Sequence, residues 1–555
     1  MSSKVVIVGG VAGGASTAAR LRRLSEEAEI VLLERGEYIS YANCGLPYYI
    51  GGTIEERDSL FVMTPEKFKA WLNIDVRTLN EAVSIDRENK EIEVLDKTTN
   101  QKYRESYDCL VLSPGAEPLR PPLPGINSKG IYSLRTVNDA DRIFDHLKEK
   151  CPQKAVVVGA GYIGLEMAEN LYHRGLEVTV VELAPQVLPP VDADMAALVQ
   201  QYLRARGVQL HLGSGVKQFH QTEKGGLEVE LNNGELLESD LIILSIGVKP
   251  ETKLAQEAGL AVERGIKVNE QMQTSDPSIY ALGDAVEVIH LVTGKPAVIP
   301  LAGPANKQGR IVANNIAGKF DTYKGTQGTS VLKIFDMTVA TTGANERILN
   351  DAGLEYQSII IHPNDHAGYY PGASPLSLKL LFSPEGTILG AQALGYGGVE
   401  KRIDVLATAL RAGSSIYDLQ ELELAYAPPY SSAKDPVNMA GFVAGNKLQN
   451  GYETIEALEL LESVSDNMQI IDVREAEEFE LGNIPGSINI PLGQLREQLE
   501  ILDRKKEAVT YCSVGLRSYL ASRILILNGF KKVRNLNGGY HIFQALQSEN
   551  NNSKT

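Results

Sequence analysis

The chain has 555 residues, 43% hydrophobic and 22% charged, an ordinary globular composition with length for about three or four domains. A net charge of -16 argues against a nucleic-acid surface, so an anionic ligand would need a local basic pocket. Four cysteines (Cys44, Cys109, Cys151, Cys512) without a CxxC pair do not make a secreted disulfide framework. No apolar run approaches the ~20 residues of a membrane span, and no signal-peptide pattern precedes the first strand; the expectation is a cytoplasmic protein without membrane or nucleic-acid partners.

Lys4-Val5-Val6-Ile7-Val8 is a β-branched run of the kind buried on both faces of a parallel sheet. The loop Gly9-Gly10-Val11-Ala12-Gly13-Gly14 and a helix pattern from Ala15 to Leu24 follow, then a second apolar run ending in Glu34 and Arg35. This strand, glycine loop, helix, strand, acid order is that of a dinucleotide site, with Gly9, Val11 and Gly14 at the pyrophosphate and Glu34 at a ribose. Val11 stands where the usual pattern has its second glycine. Ser16, Arg20, Arg22 and Arg23 on or after the helix read either as a solvated basic face or as a holder of ligand phosphates.

Residues 38–47 place Cys44 among Asn43, Gly45 and Pro47, which signal a turn or helix start. A lone cysteine is most often a buried structural residue; one placed a βαβ unit after a nucleotide loop can instead exchange electrons with a bound flavin or nicotinamide. Cys109, in a strand pattern, and Cys151, at a loop edge, read as structural.

The pattern recurs at Ala155-Val156-Val157-Val158, followed by a full GxGxxG in Gly159, Gly161 and Gly164, a helix, and a strand ending in Glu182. Glu182 suits a free ribose 2′-hydroxyl, and no arginine follows it, favouring NADH over NADPH. Two nucleotide sites imply a hydride donor and an acceptor. A flavin is supported by Ser113 and Gly115, in a turn closing a buried strand, and by Gly283 and Asp284, whose carboxylate at a strand's carboxyl end could take a ribityl hydroxyl.

Up to about residue 445 the chain resembles the flavoprotein disulfide reductases with two dinucleotide-binding domains, in the branch of coenzyme A-disulfide reductase and NADH oxidase/peroxidase. The motifs are the first glycine loop, Ser40-Tyr41-Ala42-Asn43-Cys44-Gly45-Leu46-Pro47, the second glycine loop, Ala281-Leu282-Gly283-Asp284 and Ala425-Tyr426-Ala427-Pro428-Pro429-Tyr430. The resemblance implies FAD and NADH as cofactors and a mixed disulfide between Cys44 and coenzyme A. It implies coenzyme A contacts from Ser16, Arg20, Arg23, Ser40, Asn43, Asn306 and Lys434, and a homodimer. Tyr369 and Tyr426 would stand near the sulfur, where a phenol can serve a departing thiolate. Oxidase and peroxidase members carry a histidine where this chain has Ala12, which weakens peroxide chemistry.

The final ~100 residues resemble a single rhodanese domain through Asp472-Val473-Arg474, Gly482 to Asn489, the loop Cys512-Ser513-Val514-Gly515-Leu516-Arg517 and Asn537-Gly538-Gly539-Tyr540. A cysteine at a strand end, under inward-turned amides and beside Arg517, suits a persulfide, and a loop of this length suits sulfur better than phosphate.

The expected architecture is α/β: an FAD-binding domain in two parts (1–115 and 256–325), an NADH-binding domain (116–255), an α+β dimerisation domain (326–446), a polar linker (447–455), an α/β rhodanese domain (456–545) and a frayed tail (546–555). The expected activity is NADH-dependent reduction of CoA disulfide, CoA persulfide or polysulfide through Cys44, with sulfane sulfur carried on Cys512 and no metal. The alternatives are an NADH oxidase working through a Cys44 sulfenic acid and a redox-sensing or sulfur-carrier flavoprotein.

Overall fold

The computed structural model describes residues 3–222, 225–450, 452–463, 465 and 467–552. They gather into two compact units, one of residues 1–181 and 214–328, the other of 182–213 and 329–555.

In the first unit Lys4–Val8 is the central strand of a five-stranded parallel sheet, in the spatial order Ile279–Ala281, Cys109–Leu112, Lys4–Val8, Glu29–Glu34, Asp75–Thr78. Because both faces of such a strand are covered, no polar alternation survives, and Val5, Val6 and Ile7 are fully buried. The strand from beyond residue 256 completes a sheet begun before residue 115, so two distant segments build one nucleotide-binding layer. A second parallel set runs Glu177–Val181, Lys154–Val158, Leu241–Leu244, Ile131–Ser133. The unit also holds two antiparallel three-stranded meanders, at Asn80–Asp86, Glu91–Asp96, Gln101–Ser106 and at Val216–Gln221, Leu227–Leu231, Leu236–Ser239.

The second unit is built on two sheets. One is antiparallel, in the order Ser330–Ile334, Met337–Gly343, Ile388–Gly395, Leu376–Phe382, Gln357–Ile361, with the helix Val399–Ala412 packed on it. The other is parallel, in the order Glu453–Ile455, Val533–Leu536, Glu507–Tyr511, Met468–Asp472, Ile488–Asn489. Gln357–Ile361 is an edge strand, and an uncovered edge is a template for wrong pairing. Asn537 covers it: its Oδ1 accepts the Ile360 N–H at 2.8 Å, and its amide nitrogen donates to Ser358 and Glu456.

Two expectations about chain ends and joints need correction. Residues 447–450, expected in a linker, form the last turn of the helix Pro436–Asn450, and Lys447 Nζ donates to the Ser358 carbonyl (3.0 Å) and the Thr454 hydroxyl (2.8 Å). The remaining linker holds the strand Glu453–Ile455; Gly451 lies outside the described residues. Residues 546–552, expected as a frayed tail, continue the helix Gly539–Asn552. Leu546 is buried, and Glu549 accepts hydrogen bonds from Gln200 (2.8 Å) and Arg204 (3.3 Å) on the helix Ala193–Ala205, so tertiary contacts override weak local propensity. Ser553, Lys554 and Thr555 lie outside the described residues.

One charge is placed where sequence pattern would put leucine. Lys379, fully buried in the strand Leu376–Phe382, meets Asp194 (2.6 Å), Glu346 (2.8 Å) and Asp192 (3.1 Å). Burial opposes its charge, but these carboxylates outweigh it and hold the ammonium protonated. Gln392 and Asp192 exchange two hydrogen bonds beside it, at 2.7 and 2.8 Å. Removing one partner of such a group leaves the others buried and uncompensated, so Lys379→Met is expected to cost about 3–5 kcal/mol. A denaturant midpoint for the second unit that stays at the wild-type value would show that the network carries no net stability.

Candidate active site

The two glycine loops are built alike. Gly9 (φ +95°) and Gly159 (φ +103°) end their strands in a conformation that favours glycine, and a Cβ on either would lie 2.1 or 2.3 Å from the carbonyl oxygen of Ser113 or Ser245. A Cβ at Gly14 would lie 1.8 Å from the Gly9 carbonyl oxygen, and one at Gly164 would lie 1.9 Å from that of Gly159. Each helix therefore starts pressed against its strand, with its first amides facing the loop mouth. Gly161 is different: its φ of -78° is open to any residue, and a Cβ there would meet no atom within 4 Å. Neither packing nor backbone asks for glycine at this position, whereas close approach of a pyrophosphate does. The first loop has Val11 at the matching position.

Glu34 and Glu182 also match. The Oε1 of each accepts the backbone N–H two residues on, from Gly36 and Ala184 respectively, both at 2.8 Å, and Glu34 Oε2 accepts the Gly10 N–H at 2.8 Å. Arg35, expected beside the cofactor, is engaged by Glu117 at 2.7 Å and Glu251 at 3.8 Å. The Ser113 N–H bonds the Val8 carbonyl, and Gly115 turns the chain at φ +76°. Gly283 (φ +77°) opens the short turn that carries Asp284, whose carboxyl is pushed up by burial against the pull of Arg135.

Cys44 occupies the turn Asn43–Gly45 that leads into the helix Leu46–Gly51, the turn or helix start that its neighbours predict. The residue is exposed, yet the atoms around its sulfur desolvate it and push the thiol up, and the carboxylates of Glu166 and then Asp284 push it further. Glu166, on the helix Tyr162–His173, accepts the Tyr48 hydroxyl at 3.3 Å, and burial raises its own carboxyl to about 7. The sequence reading missed Glu166; its signal was its place two residues after Gly164. Burial and the charged groups around Cys44 both oppose the thiolate, and deprotonation has to be favoured by what binds there.

A cavity of about 350 Å³ is lined by Ser16, Arg20, Arg23, Asn306 and Arg310 among others, and by Ser40, four residues before Cys44. Ser16, Arg20 and Arg23 share one face of the helix Ala12–Arg22 and its cap, at i, i+4 and i+7. Ser16 donates to Asn306, and Arg20 donates to Asn314 at 3.1 Å. Arg310, one turn beyond Asn306 on the helix Ala302–Ile316, was not anticipated. Arg22 points elsewhere: it is buried and makes five hydrogen bonds to the carbonyls of Leu72, Ser25, Glu26, Ala28 and Asn73. The basic cluster is therefore neither a uniform solvated face nor a uniform ligand site. Asn43 is exposed at the Cys44 turn, and Lys434 belongs to the second unit.

In the second unit Tyr369 and Tyr426 are exposed and hydrogen-bonded to each other through their hydroxyls at 2.8 Å. That bond is the main reason the Tyr369 phenol is raised. The segments carrying them are stitched by Arg402, buried, whose guanidinium bonds the Asp365 carbonyl (2.7 Å), Asp435 (3.0 Å) and the Ser431 hydroxyl (3.2 Å).

The Cys512 sulfur is buried and accepts the Gly515 N–H at 3.1 Å and the Ser518 hydroxyl at 3.5 Å. The carbonyls of Cys512 and Ser513 face the other way, taking the N–H groups of Tyr540 (2.8 Å) and His541 (3.1 Å). A Cβ on Gly539 (φ +65°) would lie 2.7 Å from both carbonyl oxygens, so the Gly538-Gly539 pair is what lets the last helix hold the loop. Asp472 and Arg474, expected at this loop, are spent on each other in a buried ion pair of 2.6 Å, with Arg474 also bonding the Gly482 carbonyl and lying over the Tyr540 ring. Arg517 does interact with Cys512, and it also forms a bidentate pair with Glu478.

Removing the charge beside Cys44 tests its electrostatics. Glu166→Gln is expected to lower the Cys44 thiol pKa, since burial raises the thiol and the Glu166 charge raises it further, read as an acid shift in the pH profile of alkylation at the Cys44 peptide. An unchanged or basic-shifted profile would mean that Glu166 does not govern the thiol.

Comparison with known proteins identifies the family and the fold. A family model for pyridine nucleotide-disulphide oxidoreductases matches residues 3–309, one for their dimerisation domain matches 329–436, and one for rhodanese-like domains matches 456–546. The chain is 38% identical over 453 residues to the coenzyme A disulfide reductase of Staphylococcus haemolyticus, covering 80% of this chain and 99% of that protein. Its structure is similar to that of reduced Bacillus anthracis CoADR-RHD, with a TM-score of 0.96 at 51% identity, over 99% of each chain. It is also similar to a NAD-dependent persulfide reductase from A. fulgidus, with a TM-score of 0.91 at 40% identity, over 97% of this chain and 100% of that one. The chain belongs to the pyridine nucleotide-disulphide oxidoreductase family, as a flavoprotein disulfide reductase with a rhodanese-like domain at its C-terminal end.

Proposed function

We propose that the protein is an NADH-oxidising reductase of CoA disulfide and of CoA persulfide or polysulfide, working through Cys44, with Cys512 as a carrier of sulfane sulfur. The observation that carries this reading is the cavity where Ser40, four residues before Cys44, meets Arg20, Arg23 and Arg310. Three arginines converging in a chain of net charge -16 suit a ligand with several phosphates, and an arm reaching past Ser40 would bring its sulfur to Cys44. Ser16 and Asn306, joined by a hydrogen bond at the same wall, offer further polar contacts.

The chemistry follows from the chain's own groups. Arg20, Arg23 and Arg310 hold the phosphates, and the Cys44 thiolate attacks the disulfide or persulfide sulfur. One S–S bond breaks, the leaving thiolate departs with the electron pair, and a Cys44–S–S–CoA bond forms. The first loop with Glu34 and Asp284 would hold FAD, which would supply two-electron chemistry between NADH and that disulfide. Glu166, with a carboxyl near 7, can hold a proton close to the sulfur while the thiolate is regenerated. Tyr369 and Tyr426, already paired, are the phenols available to a thiolate in a homodimer formed through residues 329–436. No helix among the described residues is long and apolar enough to cross a membrane.

Cys44→Ser is expected to lower anaerobic NADH oxidation with CoA disulfide or CoA persulfide by about a thousandfold or more. Arg20→Met is expected to raise KM for CoA disulfide about tenfold with kcat little changed. Turnover that survives Cys44→Ser would end the reading, and NADH loss that needs only air would favour the oxidase. Gly161→Ala is expected to leave Tm unchanged, since no protein atom contests the space, and to weaken NADH binding about tenfold or more. A lower Tm with intact affinity would move that glycine from the ligand to the fold.

A further inference from the structure

The cation in the Cys512 loop, Arg517, is already paired. Arg517 Nη1 and Nη2 bond Glu478 Oε2 and Oε1 at 2.6 and 2.7 Å, and Ser513, inside the loop, donates to the same carboxylate at 2.9 Å. The pair is about one-third exposed on each side, so it sits at the mouth of the loop and not under it. Arg517 holds the Glu478 carboxyl down to about 2, so the pair stays neutral at any ordinary pH. Around it the loop and the helix Leu516–Leu527 present apolar side chains to solvent: Val514 is 43% exposed, Leu516 65% and Leu520 44%.

These features bear on which sulfur donor can approach. A small inorganic oxyanion such as thiosulfate needs unpaired positive charge at the mouth, and the fork of Arg517 that would bind it bidentately is occupied. A persulfide borne on an uncharged organic arm needs apolar surface beside the sulfur and no fixed charge, and it finds both.

We infer that Glu478 is a specificity-determining residue of the Cys512 site, which, by neutralising Arg517 within an apolar rim, selects sulfane sulfur carried on an organic thiol over small sulfur oxyanions. This rests on Cys512 being a sulfur carrier. With an organic persulfide, the Cys512 thiolate attacks the outer sulfur, the S–S bond breaks, and the carrier leaves as its thiolate, so that Cys512 becomes the persulfide. With thiosulfate the same attack on the sulfane sulfur releases sulfite with the electron pair. Both steps balance without an added oxidant or reductant.

Glu478→Gln is the informative change. Glu478 also stands three residues after Glu475 at the start of the helix Ala476–Glu480, where its carboxylate accepts the Glu475 N–H, and glutamine fills that capping role as well. The full-length holoprotein without NADH is mixed with thiosulfate or with pantetheine persulfide, quenched at intervals, and the gain of one sulfur on the Cys512 peptide is followed by mass. The ratio of the thiosulfate rate to the pantetheine persulfide rate is expected to rise about tenfold in Glu478→Gln, the scale of one charge-assisted contact. Adding Arg517→Met to it should remove that gain. Leu516→Ser should raise the ratio by about threefold or more through the organic donor alone, since it removes apolar surface for that donor and no charge. Ratios that stay at the wild-type value in both single variants, with Cys512 still loading, would overturn the assignment and leave Glu478 as a helix cap. Failure of wild-type Cys512 to take sulfur from either donor would instead overturn the carrier reading, and this inference with it.

Discussion

Each nucleotide loop hangs on the same contact, the helix-start glycine lying against the carbonyl of the glycine that ends the strand. At Gly14 and Gly164 a single added carbon would fall within 2 Å of that oxygen, so neither helix could begin so close to its strand with any other residue. Closeness is what turns a helix N-terminus into a place for a pyrophosphate, because the first amides then point into the loop mouth instead of along a gap. The basic cavity depends on the same contact in the first loop, since the helix it positions carries Ser16, Arg20 and Arg23 on one face.

The two cysteines are set in opposite surroundings. Cys44 is exposed, yet burial of its sulfur and then the facing carboxylates raise its thiol and leave activation to whatever binds beside it. Such a sulfur is quiet until its ligand arrives, which suits a site that would otherwise react with any thiol or oxidant. Cys512 is buried under a loop whose carbonyls are taken by the last helix, so the amide of Gly515 is free to turn onto the sulfur. Its nearby arginine is neutralised by Glu478. In both places carboxylates brought in from other elements set the local charge, Glu166 and Asp284 at Cys44 and Glu478 at Arg517.

The second unit is held by groups that sequence pattern alone would misassign. Lys379 lies in a strand of leucines and is stabilised by three carboxylates, and Asn537, part of a rhodanese motif, closes the edge of the neighbouring sheet. The same Asn537-Gly538-Gly539 segment touches the Cys512 loop and the strand Gln357–Ile361, so the sulfur loop and the antiparallel sheet share a fixed anchor. His362, half-buried, extends the contact by bonding the Gly538 carbonyl at 3.1 Å. The final helix completes it through Glu549, where a polar sequence suggests fraying.

What the sequence by itself determined is what short-range chemistry encodes. Both glycine loops and their acids, the turn at Cys44, the strand-end loop at Cys512 and the α/β layering are written in consecutive residues, because backbone conformation and helix starts depend on near neighbours. Tertiary structure alone decided which way each long side chain is spent. Arg20 and Arg23 face a cavity while Arg22, between them, caps backbone carbonyls; Asp472 and Arg474 serve the core while Arg517 is spent on Glu478 beside the sulfur loop. Glu166 and Glu478 acquire their roles from residues 118 and 39 positions away in the chain. No local pattern records such partners, because the energy of a charge is set by what the fold brings within a few ångströms of it.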